Sequence, residues 1–210
     1  MTVPKWVKSN KISKAIKKGL KSNSTTSENI IENSSQMKQG KINLVNQHKY
    51  HIDNFVDMPE PIEIGNDEYQ VSLRDAVMIS NCRNCSIIIH KKFNKLEINE
   101  CNNVNVRFSS IIGALDIENS ISCNVESTGF TPCINIDSSQ SVRVTIPQEN
   151  SDNVEISSSG AGSAEILIKS SDESAEQICH IIPFQYVHKI VNGELESKRS
   201  PLYGTRRINP

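Results

Sequence analysis

A 19-residue spacing of apolar side chains constrains this 210-residue chain more than any other feature. Ile79, Ile98, Ile117 and Ile136 stand 19 apart, and one further step, lengthened to 20, reaches Ile156. Ile87, Val106, Val125 and Val144 keep the same step, as do Val77, Leu96, Leu115 and Ile134, and a polar column runs through Asn84, Asn103, Ser122 and Ser141. Within each unit apolar residues alternate, Leu96 and Ile98 around Glu97, Val104 and Val106 around Asn105. Period two means strands with one buried face. Two or three short strands with polar turns fill 19 residues, which is one coil of a parallel β-solenoid stacked at about 4.8 Å per coil. An antiparallel sandwich also has short strands at regular spacing, but it would not preserve side-chain identity at a fixed offset. Here the turns repeat as well, at Ser80-Asn81-Cys82, Glu100-Cys101-Asn102, Asn119-Ser120 and Ser138-Ser139. The expected class is all-β, with the solenoid clearest from Val77 to Ile168.

The flanks divide the chain further. Residues 1–40 are rich in Lys, Ser, Asn and Thr and are expected to be a disordered basic tail; seven Lys and no acid fall in the first 21 positions. Ile12, Ile16 and Leu20, with Ala15 beside them, give that tail one short amphipathic helix able to fold on a partner. Alternation begins at Lys41, and the irregular stretch through Leu73 is expected to cap the solenoid's open edge. Asn192-Gly193 between apolar runs predicts a hairpin at the end of a domain spanning 41–195, with 196–210 as a flexible tail.

An apolar content of 36% suits a thin core plus a polar tail, and a net charge of −1 gives no global attraction to nucleic acid. No apolar run reaches the roughly 20 residues that span a bilayer, and the N-terminus has no apolar signal core. The expected compartment is the cytoplasm, where six Cys are reduced thiols.

Candidate chemistry is sparse. Cys82-x-x-Cys85 has the spacing of half a zinc site, yet Cys82 and Cys101 form one repeat column and Cys85, Val104 and Cys123 another, where a thiol serves as a small hydrophobe. No metal or cofactor is expected. His48, His51, His90, His180 and His188 belong to no nucleophile motif, and no phosphate-loop motif is present. Outward positions Glu97, Asp116, Asn135 and Glu155 make a largely acidic stripe, with Lys91, Lys92, Lys95 and Arg107 nearby. Carbohydrate-active β-helix enzymes use stacked acids on such a face. Asn135 interrupts this one and no aromatic platform adjoins it, so a protein-contact face is the better reading and an enzyme is not expected.

Four segments resemble one family. The run from Ile79 to Ser120 and "GFTPCINID" (129–137) look like the C-terminal β-helix, or CARP domain, of the cyclase-associated proteins. "IIPFQYVHKIVNGEL" (181–195) resembles that family's Pro-x-Gln-aromatic segment followed by Asn-Gly, and "KINLVNQHKYHIDNF" (41–55) its opening strand with an Asn-Gln pair. The resemblance implies a right-handed parallel β-helix that dimerises by exchanging its C-terminal hairpin through Ile182, Phe184, Tyr186, Val187 and Ile190. It also implies binding of monomeric actin, preferably the ADP form, and acceleration of its nucleotide exchange, in the cytoplasm and at the cytoskeleton. Lys92, Arg107, Glu97 and Asp116 are the candidate actin contacts. The family's helical domain and proline tracts are absent, while "ISKAIKKGLK" (12–21) is faintly similar to a WH2 segment. A related fold, the tubulin-cofactor-C-like domain, uses a Gln-x-Arg arginine finger on a GTPase; here Gln140 and Arg143 stand one residue too far apart for that motif.

Overall fold

A computed structural model describes residues 40–172 and 177–201 and the backbone of 205–208. The basic tail and its short helix therefore lie outside the described residues. In chain order the strands are β1 Lys41–Val45, β2 Lys49–Asp53, β3 Ile62–Ile64, β4 Ala76–Ser80, β5 Arg83–Ile89, β6 Lys95–Asn99, β7 Asn102–Phe108, β8 Ala114–Glu118 and β9 Asn124–Ser127. Then follow β10 Cys133–Asp137, β11 Arg143–Pro147, β12 Glu155–Ser159, β13 Glu165–Lys169, β14 Gln177–Ile181, β15 Tyr186–Val191, β16 Glu194–Arg199 and β17 Thr205–Ile208.

These strands form a parallel β-solenoid. One sheet runs β1-β2-β4-β6-β8-β10-β12, the other β17-β14-β13-β11-β9-β7-β5-β3, so strands from β2 to β13 alternate between the two sheets, and β15 and β16 pair apart from both. The sequence columns are the inward ladders: Val77, Leu96, Leu115 and Ile134 pair in register, as do Ile79, Ile98, Ile117 and Ile136. Ile87, Val106, Val125 and Val144 do so on the other sheet and continue to Ile166. All of these are buried. Phe93 and Phe108 close one corner edge to face, their ring centroids 6.0 Å apart.

The corners explain the repeating Asn and Ser. Each central coil holds two left-handed positions, one in Asn81, Glu100, Asn119 and Ser138, the other in Asn84, Asn103, Ser122 and Ser141. Asn tolerates that conformation better than most residues because its short amide bonds locally; Glu100 is the exception. The stacked amides also bond between coils, Asn103 Nδ2 donating to Asn84 Oδ1 at 2.9 Å. Beside them Cys82, Cys101, Ser120 and Ser139 form one column of S–H and O–H donors. Each bonds the carbonyl two residues back, at 3.2, 3.4, 2.7 and 2.7 Å in that order.

Three details differ from the sequence expectation. Ile156 pairs with Ile134, not with Ile136, because a 3-10 turn at Gln148–Asn153 lengthens that coil. Ser157, not Glu155, therefore continues the stripe of Glu97, Asp116 and Asn135. Residues 196–210, expected as a flexible tail, hold the rest of β16 and the whole of β17, which pairs antiparallel with β14. At the opposite end β1 folds back antiparallel on β2 and caps the first sheet.

Candidate functional site

A solenoid offers its outward faces, its corners and its ends. On the outer face of the first sheet, Lys49 Nζ donates to Glu97 Oε2 at 2.5 Å, reaching over β4. Lys95 bridges Glu97 at 3.1 Å and Asp116 at 2.5 Å. Asn135 Nδ2 donates to Asp116 Oδ1 at 2.7 Å, and Ser157 Oγ to Asn135 Oδ1 at 2.5 Å. Partial burial works to raise the Glu97 pKa, but the two lysine hydrogen bonds outweigh it and hold the carboxyl below its usual range. The Asp116 bond, opposed by burial and aided by Glu97, raises Lys95. A glycosidase general acid needs a carboxyl raised toward neutrality; the Glu97 carboxyl is shifted the other way.

The outer face of the second sheet is different in kind. A shallow groove of about 600 Å³ crosses it from Pro61 to Gln177, with Ile88, Arg107, Glu126, Arg143, Thr145, Leu167 and Lys169 along it. Arg143 Nε and Nη2 both donate to Glu165 Oε2, at 3.2 and 2.9 Å. An arginine finger must be free to reach a transition state, and this guanidinium is already engaged.

The four candidate contacts therefore do not share one surface. Glu97 and Asp116 lie on the first sheet, Arg107 on the second, and Lys92 is exposed at the corner leading from β5 to β6. Lys95, grouped with the basic residues in the sequence, belongs to the acidic ladder. Glu126 and Lys169, which complete the surroundings of Arg107, were missed. Glu126 stands one repeat after Arg107 and was legible; Lys169 enters only through the lengthened last coil.

Near the first coils two histidines are held by buried acids. His48 Nδ1 is 2.9 Å from Asp75 Oδ1, and Asp75 also accepts from the backbone and hydroxyl of Ser72. His51 Nε2 lies 2.6 Å from Ser80 Oγ, which donates to Asp53 at 2.8 Å. Ser80 is buried, with 2% exposure, so this chain of bonds fixes a corner and offers no nucleophile.

The thiols are equally closed. Cys82, Cys85, Cys101 and Cys123 are buried and unbridged. The neighbouring Cys82 thiol and then burial push Cys85 and Cys101 up, burial pushes up Cys123, and the hydrogen bonds with Cys101 and Cys85 pull Cys82 down to about 4. No cluster of three or more ligand side chains suited to a metal occurs among the described residues. The purified protein should contain less than stoichiometric zinc by elemental analysis and should melt alike with and without chelator. One zinc per chain would contradict the packing role of these columns.

At the C-terminal end β15 and β16 form a two-stranded antiparallel sheet with every residue exposed. The pairing Ile190 with Leu195 and Tyr186 with Arg199 puts Tyr186, Ile190 and Leu195 on one face. Val187 lies on the other face with Lys189, Val191, Glu194, Glu196 and Lys198. Ile182, grouped with the hairpin in the sequence, instead packs against the chain's own core. Phe184 is 58% exposed just before the hairpin.

No helix among the described residues is long and apolar enough to cross a membrane. Residues 38–201 match the family described as adenylate cyclase associated (CAP) C terminal. The chain is also similar to the crystal structure of the cyclase-associated protein from Cryptosporidium parvum. The identity is 27% and the TM-score 0.68, over 76% of this chain and 94% of that one. No curated protein sequence matches.

Proposed function

The chain belongs to the C-terminal family of the adenylate cyclase associated proteins, and on that premise we propose that it binds monomeric actin, prefers the ADP form and promotes its nucleotide exchange. The observation that carries this reading is the extent of the family match, which spans the whole solenoid and the hairpin at 38–201. Such a protein acts without catalysing a reaction of its own. It binds one conformation of its partner better than another and so shifts the equilibrium between them. A cytoplasmic, cytoskeletal site of action goes with this reading.

The working unit we propose is a homodimer in which the hairpin of each chain seats on the other. A hairpin alone is marginal in water, and this one presents Tyr186, Ile190 and Leu195 to solvent at 50, 70 and 64% exposure.

Release of a fluorescent nucleotide from ADP-actin tests the function. With saturating protein the release rate should rise well above the spontaneous rate. Arg107→Glu or Lys92→Glu should raise the half-maximal protein concentration on the order of tenfold, the effect of about 1.4 kcal/mol. Neither should change the melting temperature, because both side chains are exposed. Spontaneous-rate release at saturation would defeat the proposal. Stimulated GTP hydrolysis that is lost in Arg143→Ala would favour the arginine-finger alternative instead.

A further inference from the structure

Ion pairs on this solenoid differ in how fully they are closed. Lys95 meets Asp116 and Lys49 meets Glu97 at 2.5 Å, and Arg143 holds Glu165 through two N–H groups. The groove on the second sheet is different. There one carboxylate, Glu126, faces two cations and holds neither closely. Arg107 Nε lies 3.8 Å from it, beyond hydrogen-bond length, and Lys169 Nζ lies 3.4 Å away. Both cations are largely in solvent, at 61 and 48% side-chain exposure. Arg143 also lines the groove but is held by Glu165, so the excess positive charge rests on Arg107 and Lys169 against Glu126.

The groove's surroundings make that balance unusual. Residues 41–210 hold 15 Lys and Arg against 22 Asp and Glu, a net of −7, so this groove carries the charge opposite to its own domain. Its floor is half-buried Ile88, Thr145 and Leu167, which suits the aliphatic stems and backbone of a chain laid along it. A guanidinium without a close partner is the group best shaped for two-pronged binding of a carboxylate.

We propose that this groove receives an acidic, extended segment of the protein partner, whose carboxylates displace Glu126 as the counter-charge of Arg107 and Lys169. The inference takes the actin reading as its source of that segment and adds the place and chemistry of the contact. Glu126 is then a built-in competitor: it keeps the two cations compatible with the folded sheet and is exchanged for a better-placed carboxylate on binding.

The role of Glu126 gives the test its direction. A fluorescein-labelled oligoglutamate peptide is titrated with the full chain and followed by anisotropy. Arg107→Ala and Lys169→Ala should weaken binding about fivefold each, and Glu126→Gln should tighten it about fivefold. Lys95→Ala, on the other sheet, should leave it unchanged. Melting curves accompany each variant, since a merely structural Glu126 would cost stability on removal and would not improve binding. Unchanged or weaker binding in a normally melting Glu126→Gln protein would overturn the proposal, as would equal losses in Lys95→Ala and Arg107→Ala. The same variants in the actin exchange assay separate the two readings. The expected peptide pattern without accelerated exchange would sink the actin function and leave the groove standing. Accelerated exchange with a flat peptide series would sink the groove alone.

Discussion

Ile117→Asp is expected to unfold the solenoid, while Glu118→Lys beside it leaves the melting temperature within a few degrees. Ile117 is fully buried and pairs with Ile98 on one side and Ile136 on the other. The substitution removes an apolar side chain, worth about 2–5 kcal/mol at such sites, and leaves a carboxylate in an apolar stack, costing several kcal/mol more. Together these reach the size of a whole domain's stability, about 5–15 kcal/mol. A protein that still folds should melt at least on the order of 15 °C lower. Position along the stack matters as much as burial. Ile156 occupies the same ladder as Leu115 but lies on the last strand of its sheet and is 37% exposed. Ile156→Asp should therefore cost far less than Ile117→Asp. Thermal melts of the three variants check this; equal losses at Ile117 and Ile156 would mean that stacking between coils is not what holds the chain together.

The same gradient explains what the sequence could reveal. In the middle of the stack every inward strand position has a neighbour above and below, so the ladders are filled mostly by Ile, Leu and Val and the 19-residue period shows through. At the end, β12 reads Glu-Ile-Ser-Ser-Ser. With no coil beyond it the inward places tolerate serine, and with the 3-10 turn inserted the count slips. That is why the repeat count points from Ile136 to Ile156 and from Asn135 to Glu155, where the strands pair Ile134 with Ile156 and Asn135 with Ser157. β17 is not legible for a related reason: Thr-Arg-Arg-Ile has no alternation, and what defines the strand is its backbone pairing with β14. The candidate site was legible only in pieces. Columns tell which residues share a row, but not how each row's charges pair. Lys95 closing on Asp116, and Glu126 facing both Arg107 and Lys169, depend on side-chain reach across strands that no spacing records.

The hairpin is where a small change should have the largest effect on assembly. The proposed dimer requires that its apolar face be covered by a second chain. Lysine at Ile190 and Leu195 together should disperse it, because both positions pair across the hairpin and both are exposed in the single chain. Burying two such side chains is worth about 1.5–3 kcal/mol each. The double variant should therefore weaken association on the order of a hundredfold or more. Val187→Lys on the opposite, charged face should do much less, which distinguishes a specific apolar contact from general stickiness of the hairpin. The solenoid itself should not suffer, since the core residue of this region is Ile182, not Ile190 or Leu195. Exchange through an exposed element is a low-cost route to a two-fold dimer, and the short segment from Ile182 to Gln185, which has no strand structure, gives the hairpin a place to swing. Multi-angle light scattering reads the outcome directly. The native chain should show twice the chain mass and the double variant one chain mass, with matching melting curves. A native chain that stays monomeric at high micromolar concentration would end the dimer proposal, and would leave Tyr186, Ile190 and Leu195 as a surface offered to some other protein.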